Sequence, residues 1–558
     1  MAVCVKLWQI CNQDSENKGM SNNKQRFLYS CIFTLVACLI TMYVSYARTI
    51  KEHKANSAAF INAQESKAGS EQEPSNQAML ASYIESSQDT QKAFSPSTEV
   101  KVGLPDILDE AELTAPNGII YPDGQASVIK IRLIATMWKK MRLNFYDEKD
   151  RLLFNSEEPV TLRAAETYGN GSASLAGDPT VCTLTSINVQ KKSQVQASYR
   201  GSLTFAIRPG KDNTHTISVV NTLPVEDYLK GVVPSEVPAR FDNEALKAMA
   251  CVARSYTLSN LGRHDKEGYD LCSGVHCHVY GGAGVENANV NAQIEATKGM
   301  IICYNNFLAD TRYHAVCGGM GESIENVWDM AQPLSYLTAS SDTINGLPWN
   351  SDAPAEYTSE YSTNEYEDYY APEQTQTVEN ENKSTNLAAI VENTPELESK
   401  FRAFIDNPPE AYCKNASRFR WHADFSTVNF QKMLEASLPV LCGAQIADIG
   451  NFTDITVTKR TGSGRVAELS IVTDKGSFTV SGDKIRWLTS GGKIGPSGLK
   501  STLFYIDKAE NGIIIKGGGW GHGVGLCQEG AQGRAQVGQS YIDIIKHYYP
   551  GCELKMAN

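Results

Sequence analysis

One acidic residue, Glu236, stands in a sequence setting suited to proton transfer. Its neighbours in the window VVPSEVP (232–238) are apolar residues and two prolines, and a helix is predicted to begin shortly after them. A carboxyl group in a stiff, poorly hydrated turn has a raised pKa, because desolvation disfavours its charged form. A general acid that works near neutral pH needs that rise. Taken alone, the window is equally typical of an exposed loop glutamate or a charge at a helix start.

Four residues with metal-ligand side chains follow within a short stretch. They are His264, Cys272, His276 and Cys277. Zinc favours four nitrogen and sulfur ligands in a tetrahedral arrangement, so the group predicts a zinc site. A disulfide between Cys272 and Cys277, or two buried thiols, are the alternatives. His278 is a competing ligand, because in extended backbone it would share a face with His276.

A glycine-rich run near the C-terminus, residues 517–525, contains Trp520 and His522. The run lacks the Gly-Lys-Ser/Thr ending of a P-loop and the strand-helix spacing of a dinucleotide fingerprint. We therefore expect its glycines to let the backbone pass close to a groove, with both side chains displayed. A flat aromatic ring suits stacking on a sugar, whereas a core tryptophan is the alternative.

The elements that must position these residues are visible as hydrophobic patterns. Alternating runs between 127 and 220 indicate β-strands. A helix is predicted from about 242 to 260, with Asp242 as its N-cap and Phe241 packed on Leu246. Further strands are predicted at 300–310, at 312–316 and in the runs ITVTKR, RVAELSIVT, SFTVSG and IIIKG, with helices after Gln528 and after Ser540.

The N-terminal segment predicts membrane attachment. Residues 27–47 carry no charge, and their length is close to the roughly 20 residues that a spanning helix needs. The stretch exceeds the hydrophobic region of a signal peptide, and a polar tail, residues 1–26, precedes it. We therefore expect an uncleaved transmembrane anchor, with a cleaved signal peptide as the alternative. Residues 48–100 are rich in Ser, Gln, Glu, Ala and Asn, which predicts a disordered stalk.

The charge of the chain excludes one class of function. Its net charge is −12 and no Lys/Arg-rich block is present, whereas nucleic-acid binding needs a cationic face. The 558 residues should divide into two to four domains. Residues 351–400 are predicted to be an acidic, flexible insertion, because 351–381 hold nine acidic residues and no basic one.

Several segments, taken together and in order, resemble the SpoIID/LytB domain. The matching stretches are NTLPVEDYLKGVVPSEVP, EALKAMACVARSY, YDLCSGVHCHVYGG, ATKGMIICYNN, YHAVCGGMGESIENVW, SGLKSTLFYI and GWGHGVGLCQEGAQGRAQVG with HYYPG. The run Trp520 to Gly525, followed by Gln528, is the most specific part. The resemblance extends from about 127 to 554, and the insertion divides the domain into two parts, 101–350 and 401–558.

The resemblance implies an α+β fold, a β-rich body with supporting helices around a glycan-binding groove. It implies a peptidoglycan lytic transglycosylase that cleaves denuded glycan strands between N-acetylmuramic acid and N-acetylglucosamine, leaving 1,6-anhydromuramic ends. Glu236, in the VVPSE position, is the implied acid. Some relatives bind zinc in this region, which carries over to the four His and Cys residues. The expected substrate-binding residues are Trp520, His522, Gln528, Arg254 and Tyr280.

A second function remains open beside the first. Some family members are named amidase enhancers, so a non-catalytic, glycan-binding activator of an N-acetylmuramoyl-L-alanine amidase is the alternative. Both functions place the large domain outside the cytoplasm, held by the N-terminal helix, with peptidoglycan and a cell-wall amidase as candidate partners. A hydrolase would need two carboxylates at the bond. A lytic transglycosylase needs one, because the muramyl 6-hydroxyl replaces water.

Overall fold

The computed structural model describes residues 95–557 except for several gaps. The gaps are 109, 123–125, 139, 166–179, 189–192, 210–214, 329–330, 351–388, 444–445, 447, 494 and 496. The predicted anchor, most of the predicted stalk and the acidic run 351–381 therefore lie outside the described residues. Within the described part of the chain, no helix is long and apolar enough to cross a membrane.

The N-terminal half of the body is built on an eleven-stranded sheet. Its strands are β1 (Glu99–Gly103), β2 (Glu110–Ile120), β3 (Ala126–Trp138), β4 (Lys140–Tyr146), β5 (Leu152–Ser156), β6 (Val160–Ala164), β7 (Val181–Asn188), β8 (Ser193–Arg200), β9 (Ser202–Pro209), β10 (His215–Pro224) and β11 (Leu271–Cys272). The order is β11-β1-β10-β9-β6-β2-β3-β4-β5, with β7 paired to β2 and β8. The strands predicted between 127 and 220 are confirmed. Alternating residues, such as Val100 and Val102, face the core.

Seven α-helices are present in the described residues. They are α1 (Val225–Glu236), α2 (Asn243–Ser259), α3 (Ala288–Ala296), α4 (Pro395–Asp406), α5 (Thr427–Cys442), α6 (Gln528–Gln536) and α7 (Tyr541–Tyr548). The predicted helix at 242–260 is confirmed as α2, and the Asp242 carboxylate caps it by accepting the Glu244 N–H. Helix α2 is buried along most of its length and packs against α1, α3, α6 and α7. It is therefore the central element that holds the other helices in place.

Smaller sheets complete the body. Their strands are β12 (Met300–Tyr304), β13 (Phe307–Leu308), β14 (Tyr313–His314), β15 (Ile390–Glu392), β16 (Arg420–Ser426), β17 (Phe452–Thr461), β18 (Val466–Thr473), β19 (Gly476–Ser481), β20 (Phe504–Ala509), β21 (Gly512–Gly518), β22 (Leu526–Cys527) and β23 (Glu553–Met556). They pair as β13-β12-β23, β14-β22, β15-β17-β18-β19 and β16-β21-β20. The mixture of helices with a sheet-rich body confirms the α+β class.

Residues 421–515 form a hydrophobic core of their own, with Phe430, Leu434 and Phe504 at its centre. The larger core combines the eleven-stranded sheet with α1, α2 and the C-terminal helices. The chain thus leaves the larger core after Phe419 and returns to it at Val524, just before β22.

Two sequence-based boundaries need correction. Residues 390–400 were assigned to the flexible insertion, yet they contain β15 and the start of α4, where Thr394 caps the helix and Pro395 occupies its first turn. The stalk was extended to residue 100, yet β1 begins at Glu99 because it pairs with β10. In both places backbone pairing or packing orders a segment whose composition is polar.

Candidate active site

Glu236 is the last residue of helix α1, not part of the turn that its sequence predicted. The helix contains Pro234 and Gly231, which both disfavour helix formation. Tertiary packing explains why it forms: a Cβ at Gly231 would lie 2.5 Å from the ring of Tyr280. Glycine therefore allows the helix to approach the segment that follows β11. Glu236 is held at the end of a rigid element.

Three groups surround the Glu236 carboxyl. The backbone N–H of Val279 donates a hydrogen bond of 2.8 Å to Oε1. Burial raises the pKa of Glu236, while hydrogen bonding from Val279, the Tyr313 hydroxyl and Gln528 acts in the opposite direction. Burial is the larger effect, so the carboxyl is protonated at higher pH than a free glutamate.

The short parallel pair β14-β22 brings Tyr313 and Gln528 to the same place. Tyr313 lies opposite Leu526, and His314 lies opposite Cys527, so Gln528 begins α6 directly beside the end of β14. The Gln528 Nε2 is buried and has no partner in regular hydrogen-bond geometry among the described residues. The Gln528 amide acts on the Glu236 carboxyl, whose pKa it lowers, so Gln528 contacts this carboxyl where a contact with substrate was expected. Tyr313 was missed from sequence, because nothing in YHAVCGG distinguishes it from a core tyrosine.

A cluster of tyrosine rings, which includes that of Tyr313, surrounds His278. His278 lies 4.7 Å from the ring of Tyr256, 5.8 Å from that of Tyr313 and 5.9 Å from that of Tyr228. Burial lowers the pKa of His278 to about 3, so its imidazole is neutral. Its Nδ1 lies 3.3 Å from the Tyr228 hydroxyl. This placement removes His278 from the candidate metal ligands.

The other four His and Cys residues do converge. The ligand atoms of His264, Cys272, His276 and Cys277 all lie within 4.8 Å of one another. Cys277 Sγ is 3.4 Å from His264 Nε2 and 3.5 Å from His276 Nδ1, and Cys272 Sγ is 3.9 Å from His276 Nδ1. Bonds of about 2.0–2.3 Å from one zinc ion to nitrogen and sulfur would separate tetrahedral ligands by roughly these distances. The residues therefore fit a single zinc ion.

The surroundings of this group also suit a metal. Glu267 Oε2 lies 3.7 Å from His264 Nδ1, on the side of the ring away from the sulfurs, as carboxylates do behind metal-bound histidines. The Cys277 thiol hydrogen-bonds to Cys272 and lowers the pKa of that thiol to about 4. Val279, which holds Glu236, follows Cys277 by two residues. The group therefore anchors the loop that orients the carboxyl.

Of the two side chains that the glycine-rich segment was expected to display, Trp520 is exposed and His522 is partly buried. Trp520 is 44% exposed, and the cationic groups of Arg418 and Lys500 lie 6.0 and 5.7 Å from the centre of its ring. His522 packs its ring 5.1 Å from Trp328 and accepts the Val524 N–H through Nδ1. The segment joins the site through hydrogen bonds between Trp520 and Val316. An exposed tryptophan flanked by cations suits binding of a polar ring.

Comparisons with known proteins show which family the chain resembles. A family model described as "Stage II sporulation protein" matches residues 213–304, the segment that carries Glu236 and the four His and Cys residues. The chain is 30% identical over 328 residues to a protein named amidase enhancer from Bacillus subtilis (strain 168), covering 58% of this chain and 40% of the enhancer. It is 25% identical over 354 residues to stage II sporulation protein D from Bacillus amyloliquefaciens, covering 61% of this chain and 76% of the relative. These matches relate the chain to the SpoIID/LytB family.

The matches cover only part of this chain and only part of the amidase enhancer. The chain spans less than half of the amidase enhancer. Residues 322–525 match a second model, described as a domain of unknown function (DUF8618). That region contains the separate core at 421–515 and ends on the glycine-rich segment. The part of the chain from 322 to 525 is thus matched by a different model from the part that carries Glu236.

Two expected substrate-binding residues, Arg254 and Tyr280, are in the core. Arg254 is 1% exposed and donates two hydrogen bonds of 2.8 Å to the carboxylate of Glu226. Tyr280 is buried, and its hydroxyl donates to Asn221 at 2.8 Å. Both side chains are fully engaged inside the protein, so neither is placed to contact a glycan. Their roles in this structure are to hold α1 against its neighbours.

Proposed function

We propose that this protein is a peptidoglycan lytic transglycosylase in which Glu236 acts first as acid and then as base. The observation that carries the proposal is the setting of Glu236: a partly buried carboxyl with a raised pKa at the end of a rigid helix. Its neighbours are the Val279 N–H, the Tyr313 hydroxyl and the Gln528 amide, and none of these three is a carboxylate. One carboxyl is sufficient for the transglycosylase reaction.

In the proposed reaction, Glu236 protonates the glycosidic oxygen between N-acetylmuramic acid and N-acetylglucosamine. The bond from that oxygen to the muramyl anomeric carbon breaks, and N-acetylglucosamine leaves with the proton. The Glu236 carboxylate then takes the proton of the muramyl 6-hydroxyl, whose oxygen bonds to the anomeric carbon. The product is a 1,6-anhydro ring, Glu236 is protonated again, and no water is consumed. General acid-base catalysis of this kind supplies about 10²–10⁴-fold in rate.

The neighbours of Glu236 serve both halves of this cycle. Burial favours the protonated form that starts the reaction, and the Tyr313 hydroxyl and Val279 N–H stabilise the carboxylate that finishes it. The Val279 hydrogen bond to Oε1 also fixes the plane of the carboxyl. Gln528 also lowers the pKa of Glu236 and so helps to stabilise the carboxylate form.

We further propose that His264, Cys272, His276 and Cys277 hold a structural zinc ion. Four protein ligands close a tetrahedral site, so the ion would have no open position for substrate or water. Its contribution would be to stabilise the loop from Cys272 to Val279, whose N–H orients Glu236. Metal removal should therefore weaken folding of this loop and act on cleavage indirectly.

Glycan binding is assigned to the exposed surface around Trp520. Trp520 can stack on a sugar ring, and Arg418 and Lys500 can bind its polar substituents. His522 lies behind this surface, against Trp328. A substrate outside the cytoplasm agrees with the anchor predicted at residues 27–47, and we propose a membrane-attached protein facing the cell wall.

The alternative function is a non-catalytic activator of a cell-wall amidase. The likeness to the protein named amidase enhancer favours it. In that case the surface around Trp520 would bind glycan without cleaving it, and Glu236 would have a binding role.

Product analysis separates the two functions. The full chain is incubated with glycan strands stripped of stem peptides, and the fragments are analysed by mass spectrometry. The transglycosylase proposal predicts fragments with anhydromuramic ends, which are lighter by one water than hydrolysed reducing ends. Intact strands, together with faster release of stem peptides by an added amidase, would support the activator instead.

A further inference from the structure

A second group of potential metal ligands lies in the core behind β14 and β22. It consists of Cys317, Asp342, Cys413 and Cys527, whose side-chain ligand atoms all lie within 4.8 Å of one another. Each of the four residues is at most 1% exposed. They come from four separate segments of the chain, so the local spacing of residues in the sequence did not predict this group.

We propose that these four residues bind one structural metal ion, zinc by the chemistry of its donors. Three thiolates and one carboxylate are a donor set that tetrahedral zinc accepts. Cys317 Sγ lies 3.4 Å from Cys413 Sγ, and zinc–sulfur bonds of about 2.3 Å place two tetrahedral sulfurs roughly 3.8 Å apart. An iron–sulfur cluster would need wider spacing, because its irons and sulfides lie between the cysteine sulfurs.

The carboxylate of Asp342 is oriented as a metal ligand would be. Its Oδ1 accepts hydrogen bonds from Arg534 Nε and Nη2 at 3.1 and 2.9 Å and from the Tyr548 hydroxyl at 2.9 Å. Its Oδ2 faces the sulfurs, 3.3 Å from Cys317 Sγ. Oδ1 thus accepts its hydrogen bonds from residues outside the group, and Oδ2 points toward the sulfur atoms. Such outer partners fix and tune the carboxylate and histidine ligands of metal sites.

Backbone N–H groups also point at the sulfurs. The Cys317 and Gly530 N–H groups lie 3.2 Å from Cys527 Sγ, and the Gly319 N–H lies 3.3 Å from Cys317 Sγ. Hydrogen bonds of this kind stabilise thiolates more than thiols, because they favour the charged form. A Cβ at Gly530 would lie 2.3 Å from Asp342 Oδ2, so glycine is needed where α6 passes the group.

The charges around the group balance those of a bound divalent ion. Three thiolates and a carboxylate carry four negative charges, which a divalent ion reduces to two. Arg534 forms an ion pair with Asp342, and Arg420 donates from Nη1 to the Gly318 carbonyl beside Cys317. These two guanidinium groups supply the remaining two positive charges. Buried charges need such pairing.

A disulfide between Cys317 and Cys413 explains the arrangement less well. Oxidation would leave the buried Asp342 Oδ2 facing a sulfur without a hydrogen, and no cation would take the place of that hydrogen. It would also leave Cys527 as a buried third thiol with two N–H groups directed at it. A metal ion uses all four groups.

The proposed ion would join the wall of the candidate active site to the core. Cys317 follows Tyr313 by four residues, and Cys527 immediately precedes Gln528. Cys413 comes from the segment that leads into the separate core at 421–515. The ion would therefore hold Tyr313 and Gln528 in position, as the His264 group would hold Val279. This positioning role rests on the proposed function, but the metal site does not.

Elemental analysis of the full chain tests the site directly. The protein is purified without chelators, and its zinc content is compared with that of Cys413→Ser, Cys277→Ser and Cys552→Ser. We expect Cys413→Ser to lose one zinc per chain relative to wild type, and Cys277→Ser to lose a different one. Cys552→Ser, which removes a buried thiol elsewhere, should keep the wild-type content. Because each group is counted separately, absence of zinc from the His264 group leaves this test intact.

Two further measurements keep the proposal testable if Cys413→Ser does not fold. Cobalt added to metal-free Cys277→Ser should give thiolate-to-cobalt charge-transfer bands, and Cys413→His, which keeps a zinc ligand, should keep zinc. The proposal is overturned if Cys413→Ser folds and retains the full zinc content, or if cobalt produces no such bands. A Cys317–Cys413 disulfide in the unreduced wild-type protein, found by peptide mass spectrometry, would equally overturn it.

Discussion

Replacing Tyr313 by phenylalanine removes one hydroxyl group from the Glu236 carboxyl and leaves the rest of the site in place. The ring of Tyr313 packs 6.2 Å from that of Tyr256 and 5.8 Å from that of His278, and phenylalanine keeps these contacts. The Val279 N–H still holds Oε1. The substitution therefore tests a single hydrogen bond to the proposed acid.

The size and direction of the effect follow from that hydrogen bond. A hydrogen bond to a charged group contributes about 1.5–3 kcal/mol, and about 1.4 kcal/mol corresponds to tenfold in rate. We therefore expect kcat to fall roughly 10- to 100-fold. The Tyr313 hydroxyl lowers the pKa of Glu236, so its loss should raise that pKa. Activity requires protonated Glu236 and falls as pH rises through its pKa, so the alkaline limb should move to higher pH.

The assay is kcat and kcat/KM on denuded glycan strands across a pH series. Tyr505→Phe is the matched control, because the Tyr505 hydroxyl donates to Asp406 Oδ1 at 2.8 Å, in a hydrophobic cluster with Phe401 and Phe404. It removes a tyrosine–carboxylate hydrogen bond away from the site and should leave the pH profile unchanged. Wild-type kcat and an unmoved alkaline limb in Tyr313→Phe would refute the assigned role.

Three other substitutions test separate parts of the account. Trp520→Ala should raise KM on denuded glycan about 2- to 10-fold with little change in kcat, since aromatic packing contributes about 0.5–1.5 kcal/mol; an unchanged KM would remove Trp520 from the binding surface. Arg254→Met leaves the carboxylate of Glu226 buried without its partner and should cost about 3–5 kcal/mol in the free energy of unfolding. Denaturant titration checks this, and a stable Arg254→Met with raised KM would restore a substrate role. Cys277→Ser should lower the melting temperature and lower cleavage together, because it loosens the loop that carries Val279; a chelator that leaves the melting temperature of wild type unchanged would contradict the structural zinc.

The parts of the site that sequence could predict are those encoded locally. Helix α2 combines an N-cap at Asp242 with a helical repeat of apolar residues, and it forms where predicted. The His264 group is predictable because its four ligands lie within fourteen residues of one another. Trp520 could be singled out from the glycines around it, and it is exposed as expected.

The remaining parts depend on contacts between distant segments. Helix α1 contains two residues that disfavour helices, and only its packing against Tyr280 shows why it forms. Tyr313 approaches Glu236 because β14 pairs with β22, more than two hundred residues away. Arg254 was expected to bind substrate because its segment resembles the family. Its guanidinium group instead pairs inside the core with Glu226, which lies 28 residues earlier in the sequence. The Cys317 group could not be predicted for the same reason, because its ligands are spread from residue 317 to residue 527.

The central claim is that the proton donated to the glycan comes from Glu236, and Glu236→Gln tests it most directly. Glutamine keeps the size of the side chain and an oxygen that accepts the Val279 N–H, so the fold and glycan binding should persist. Glu529→Gln is the matched control, because burial also raises the pKa of this neighbouring carboxyl, and no catalytic role is assigned to it.

The measurement is the rate at which anhydromuramic ends appear from denuded glycan strands. We expect Glu236→Gln to lose at least about 10²–10⁴-fold, since the same group must act as acid and as base, while Glu529→Gln stays close to wild type. Formation of anhydro ends by Glu236→Gln at the wild-type rate would contradict the account. A wild-type protein that forms none, yet accelerates an amidase, would replace it with the activator function.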